Sequence, residues 1–201
     1  MEAIYKKIYK RVKPLLDTRA NEPHARVSYR YGLKLLKAEG GDPEIVIPSI
    51  LLHDIGWKMI PEKDHLKMFG PKADKRLLKI HEREGARMAG RILRELGYPE
   101  GKAKAIISIV KKHDTSTRPR SLNEKIVKDS DRLWRFSKQG FLINGMRFKV
   151  LPQKHLSYLQ KKIEEWFFTD TAKGMALKEI QKGKNDLKLL IKLPTHLKLR
   201  K

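Results

Sequence analysis

The apolar run from Ile45 to Leu52 constrains this chain more than any other segment. Asp42 offers an N-cap and Pro43 a first helical position, so the run is predicted to be a helix, buried nearly all round. It ends in His53-Asp54. An imidazole and a carboxylate at the end of a buried helix carry a desolvation cost of several kcal/mol unless something compensates them. Other segments must therefore surround this helix and supply partners or a cation.

The rest of the sequence provides such segments. Ile4, Ile8, Val12 and Leu15 recur at helical spacing, as do Val27, Tyr31 and Leu35, so two amphipathic helices open the chain. Lys58 to Lys79, punctuated by Pro61, Gly70 and Pro71, is predicted as a loop with a short helix inside it, the candidate for a mobile lid. A helix is expected from His81 through Gly85, Met88 and Ile92 to Leu96, closed by Gly97. Another begins at Pro99, with Ala103, Ile106, Val110 and His113 on one face. Ser121 and Glu124 form a capping-box pattern ahead of Ile126, Val127, Leu133 and Trp134. Leu156, Leu159, Ile163 and Phe167 mark a later helix, and Thr169-Asp170 can cap a last one through Met175 and Ile180. The alternation of Met146, Phe148 and Val150 after Asn144-Gly145 suggests one edge hairpin. The expected fold class is all-α, a single domain over residues 1–201.

Composition narrows the chemistry. At 201 residues, 40% hydrophobic and 34% charged, the chain matches globular proteins and is long enough for one sizeable core. It has no cysteine, so a metal can be held only by His, Asp or Glu. The opening residues lack the apolar core and cleavage site of a signal peptide, and no stretch approaches the roughly 20 apolar residues of a spanning helix. The expected compartment is the cytoplasm, with no membrane partner. A formal charge of +23 steers anions toward the protein and favours phosphorylated partners, although a Lys- and Glu-rich composition also suits a thermophile. The basic tail from Lys178 to Lys201, with Lys182, Lys184, Lys188, Lys192, Lys198 and Arg200, could gather nucleic-acid phosphates, but no recognised nucleic-acid motif accompanies it.

His24 starts the stripe of Val27, Tyr31 and Leu35 and so faces the same core. Asp131 lies one turn beyond Val127 and before Trp134, whereas Asp129 shares a face with Ile126 and Leu133, and spacing alone leaves both carboxylates open. Three helices then aim His24, His53, Asp54 and an aspartate inward. Two imidazoles and two carboxylates make a hard-to-borderline site suited to a divalent ion, whether Mn, Fe, Mg, Co, Ni or Zn.

These residues resemble the HD-domain superfamily of metal-dependent phosphohydrolases. The likeness rests on His24-Ala-Arg-Val27, Ile50-Leu-Leu-His-Asp-Ile-Gly56, His81-Glu-Arg-Glu-Gly-Ala86 and Asp129-Ser-Asp-Arg-Leu133, and covers about residues 20–137. It implies a compact helical core, with residues 150–201 as a C-terminal helical extension. It assigns the last ligand to Asp131, ahead of Arg132-Leu133, and sets Asp129 behind it. His81 and His113 stand where relatives with two metals add one histidine on each of two helices; the alternative is that each is a hydrogen-bonded core histidine. The sequence departs from two branches of the family: Trp57 replaces the glutamate of the deoxynucleotidase-like branch, and Ile55 to Lys58 replace the acidic pair of the alarmone hydrolases. Gly97-Tyr98-Pro99 is similar to a tripeptide of the cyclic-dinucleotide phosphodiesterases, but it precedes His113 where theirs follows the second added histidine. The implied activity is hydrolysis of a phosphate ester or anhydride of a nucleotide or related small molecule by metal-activated water. Asp54 is then the proton acceptor, and Arg132 and Lys58 are the phosphate-binding candidates. Two alternatives remain: a dinuclear iron oxygenase of the same superfamily, and a nucleic-acid-binding protein with a structural metal site.

Overall fold

The computed structural model describes residues 2–18, 21–70 and 72–192, with side chains to Leu187, so Pro71, Lys198 and Arg200 lie outside the described residues, as do the side chains of Lys188 and Lys192. The helices are α1 (Ala3–Val12), α2 (Asn21–Glu39), α3 (Pro43–Leu52), α4 (Lys75–Glu95), α5 (Glu100–Val110), α6 (Leu122–Leu133), α7 (Lys138–Phe148), α8 (Pro152–Trp166) and α9 (Asp170–Lys192). Short 3-10 turns intervene, and the described residues contain no strand. The fold is all-α. No described helix is long and apolar enough to cross a membrane.

The burial of α3 has a simple cause: it is the partition between two apolar clusters. Val46 and Ile50 face a cluster built from α2, α6, α8 and α9, including Leu35, Ile126, Leu159 and Ile180. Ile47, Leu51 and Leu52 face a second cluster built from α1, α4 and α5, including Ile8, Leu93 and Ile106. Asp42 caps α3 by accepting from the Glu44 N–H. Pro48 sits inside the helix and has no N–H for the Glu44 carbonyl, and the Tyr98 hydroxyl donates to that carbonyl instead, at 2.6 Å.

Three expectations need correction. The proposed hairpin is absent: Met146 and Phe148 belong to α7, which starts at the Ser137 cap and ends with Lys149 in the left-handed conformation (φ 52°). Helix α4 begins at Lys75 behind an Asp74 cap, so His81 is an interior helical residue instead of a helix start. The stretch ahead of it holds two 3-10 turns, Ile55–Met59 and Glu62–Met68, where one short helix was expected. The Ser121 cap does form, its Oγ accepting from the Glu124 N–H, while the Glu124 carboxylate takes the Arg120 N–H.

Candidate metal centre

The ends of α3 and α5 and the inner faces of α2, α4 and α6 converge on one cluster. His24, His53, Asp54, His81, His113 and Asp131 are all at most 8% exposed. They sort into two triplets, His24 with His53 and Asp131, and Asp54 with His81 and His113, and within each triplet one ligand atom per residue lies within 4.8 Å of the others. Asp54 reaches both. Its Oδ2 is 3.6 Å from His53 Nε2 and 3.8 Å from His24 Nε2, while its Oδ1 is 3.4 Å from His81 Nε2 and 3.5 Å from His113 Nε2. Asp131 Oδ1 stands 3.1 Å from His24 Nε2.

The donor set fits a cation in each triplet. His53 Nδ1 is 2.8 Å from the Ile50 carbonyl, and His113 Nδ1 is 2.8 Å from that of Val110. A carbonyl only accepts, so both Nδ1 atoms carry hydrogen and a neutral ring presents its Nε2 lone pair inward. Each lone pair meets another imidazole: His53 Nε2 is 3.1 Å from His24 Nε2, and His113 Nε2 is 3.2 Å from His81 Nε2. Ring nitrogens held this way by backbone carbonyls are oriented as metal ligands usually are. The electrostatics agree. Burial opposes charge on Asp54, but His53 and, when their Nε2 atoms carry a proton, His113 and His81 hold its carboxyl well below the usual range. Burial likewise opposes charge on His113, yet Asp114 and Asp54 hold the ring up at about 10. The cluster therefore calls for positive charge, as protons or as metal ions.

The chain is built locally to bring these groups together. A Cβ on Gly56 would fall 2.0 Å from the His81 carbonyl oxygen, so only glycine lets the turn after Asp54 lie against α4. The turn carrying His113 is clamped from two helices. Glu82 of α4 accepts from the N–H groups of Asp114 and Thr115 and from the Thr115 hydroxyl. Lys128 of α6, 1% exposed, donates to the carbonyls of Lys112, His113 and Ser116 in the turn that follows α5.

The other candidates separate. Asp129 is fully buried but faces away from the triplets, accepting from the N–H groups of Phe168 and Thr169 and from the Thr169 hydroxyl, so it fastens α6 to the start of α9. Lys58 is paired with Asp17 at 2.8 Å on the surface and is not among the residues lining the central cavity. Arg132 lines that cavity, but its guanidinium donates to the Trp166 carbonyl and stacks on Phe168. Two groups escaped the sequence reading. Asp114 Oδ2 lies 3.4 Å from His113 Nε2 and 3.7 Å from His81 Nε2; the signal was a second His-Asp dipeptide, His113-Asp114. Arg135 comes within 3.6 Å of Asp131 Oδ1, one helical turn beyond it.

Both triplets open onto a cavity of about 1030 Å³. Arg135, Arg147, Lys149 and Lys154 contribute cations to its lining, while Leu66, Met68, Phe69 and Phe148 contribute apolar surface. Asn21, three residues before His24, also lines it, and its buried Nδ2 has no hydrogen-bond partner among the described residues.

Comparison with known proteins gives a consistent picture. Residues 24–135, more than half of the chain, match the HD domain family. The fold is similar to a crystal structure described as a predicted HD superfamily hydrolase from an uncultured Thermotogales bacterium. That likeness covers 92% of this chain and 90% of the other, at 19% sequence identity and a TM-score of 0.62. No curated protein matches.

Proposed function

The chain belongs to the HD domain family, and from that premise we propose that it is a phosphohydrolase using two divalent ions to cleave a nucleotide or similar small phosphorylated molecule. The observation that carries the reading is the pair of His-His-Asp and Asp-His-His triplets, joined through Asp54, at the floor of a cation-lined cavity. His24, His53 and Asp131 would hold one ion, and His81, His113 and Asp54 the other, with Asp54 close to both triplets. When bound, such ions polarise a phosphoryl oxygen and lower the pKa of water from 15.7 toward about 7.

The remaining work falls to the chain's own residues. Arg135 and the unpartnered Asn21 amide supply donors for phosphoryl oxygens, where charge develops during in-line attack. With both Asp54 oxygens turned toward ring nitrogens, and Trp57 donating to Oδ1 at 3.0 Å, proton transfer from water passes to Asp114. Asp114 keeps about a quarter of its side chain exposed, at 27%, and lines the cavity. Arg132 and Lys58 then stand outside the reaction, the first as a helix fastener and the second as a surface ion pair.

The test is phosphate release from a panel of nucleotides and generic phosphoesters with Mn, Fe, Mg, Co, Ni or Zn added. Native protein should release phosphate, Asp54→Ala should lose at least about 1000-fold in rate, and Asp114→Asn about 100-fold. A folded, metal-loaded native protein that releases none from any substrate would sink the proposal. The second reading, a dinuclear iron oxygenase, draws on the same pair of triplets. An iron assay with an absorbance spectrum, followed by dioxygen uptake, separates the two.

A further inference from the structure

The cavity is far larger than a phosphoryl group requires and lies at the upper end of the roughly 300–1,000 Å³ typical of pockets for whole small molecules. Its cations are unevenly explained. Arg135 answers Asp131, and Arg147, in the last turn of α7, donates to Asn144 Oδ1. Lys149 follows α7 and Lys154 lies in the first turn of α8; like Arg147, both are beyond the 24–135 segment. The carboxylates lining the cavity are Asp54 and Asp131 of the triplets and Asp114 beside His113 and His81. Among the described residues Lys149 and Lys154 have no ion pair, and both are exposed at the lining. Arg147 is partly buried, and its guanidinium is pushed down in pKa by that burial and by the like charge of Arg135.

Lys149 adds an independent observation. It occupies the left-handed position that ends α7, with the Val150 N–H returning to the Gly145 carbonyl at 3.0 Å, a site that ordinarily takes glycine. Holding a lysine there costs backbone energy that glycine would not. Like charges gathered at a cavity wall, one of them at a strained position, are explained by an anion that sits among them.

We propose that Arg147, Lys149 and Lys154 form a second anion subsite, selecting substrates that carry a phosphate or carboxylate in addition to the phosphoryl group at the metal cluster. The proposal rests on the phosphohydrolase reading for the position of that first group. The apolar wall of Leu66, Phe69 and Phe148 takes the body between the two anionic ends.

The experiment measures binding to the metal-loaded protein by rapid mixing, on a timescale short against turnover, at about 150 mM salt so that distant charges are screened beyond roughly 8 Å. The probes are adenosine 5′-monophosphate, adenosine diphosphate, adenosine 3′,5′-bisphosphate and adenylosuccinate. The last three add phosphate or carboxylate to the first at different places. At least one should bind native protein about tenfold tighter than the monophosphate, and the tighter binder identifies the kind of anion. In Lys149→Gly/Lys154→Gln that ratio should fall below about threefold while the melting temperature is kept or raised. Lys10→Gln/Lys37→Gln, which removes the same charge from exposed positions on α1 and α2, should keep the ratio. The proposal is overturned if no added anion gains affinity, or if the gain survives in the Lys149/Lys154 variant. Phosphate release by the metal-loaded protein is scored separately. Release without the affinity ratio defeats the subsite alone, and the ratio without release defeats the phosphohydrolase reading alone.

Discussion

At the scale of single residues, the buried charges outside the metal cluster are as informative as those within it. Lys128→Met leaves the His113 and Ser116 carbonyls after α5 without a donor and that of Lys112 with only the Ser116 N–H. It should cost about 2–4 kcal/mol in urea unfolding and weaken metal binding at the His81–His113 triplet about 10- to 100-fold. Tyr5 is the contrasting case, since its hydroxyl is buried with no partner among the described residues. Burial, and then the charge of Glu2, raise its pKa to about 12 from 10. Because the folded value lies above the unfolded one, its contribution is intact below pH 10 and is lost as pH rises from 10 to 12. Tyr5→Phe should therefore be neutral or slightly stabilising at pH 8 and should flatten the loss of stability between pH 10 and 12, as urea midpoints at both ends of that window would reveal. The positions of His24, His53 and Asp54 were legible because ionisable groups adjoining an apolar run need a reason to be there. For Asp114 the His113-Asp114 dipeptide was the one signal, and it does not show that Glu82 and Lys128 fold the residues after α5 back toward His81.

At the scale of elements, the critical contact is that of the 3-10 turn at Ile55–Met59 with α4. The His81 carbonyl is backbone and cannot yield to a Cβ at position 56. Gly56→Ala should cost about 3 kcal/mol and draw Asp54 away from His81, detectable as lost affinity for one of two bound ions. Gly174→Ala in α9, where nothing lies within 4 Å of a built Cβ, should instead gain about 0.5–1 kcal/mol. Periodicity found α2, α3 and α8 because each buries a continuous apolar stripe. It misread α7, where Asn144-Gly145 imitates a hairpin turn, but Asn144 is a buried helical residue lining the cavity. Exposed Leu142 and Met146 leave α7 with little stripe to read.

At the scale of the whole molecule, a formal charge of +23 makes the folded state repel itself. Raising salt from about 20 mM to 300 mM shortens the screening length several-fold and should raise the melting temperature by a few degrees in scanning calorimetry. The two triplets also bear on the chain as a polymer. Their ring pairs join residues 29 and 32 positions apart, and the ligands come from α2, the ends of α3 and α5, α4 and α6. Ions held there act as removable cross-links, closing loops whose entropy the unfolded chain would otherwise recover. At a free ion concentration near 100 times the dissociation constant, one such link is worth about 2.7 kcal/mol, or roughly 5–10 °C in a chain of this length. Chelation should then shift the melting of the whole helical core by that amount, so that one ion exchanged with solvent is felt as far away as α1 and α9.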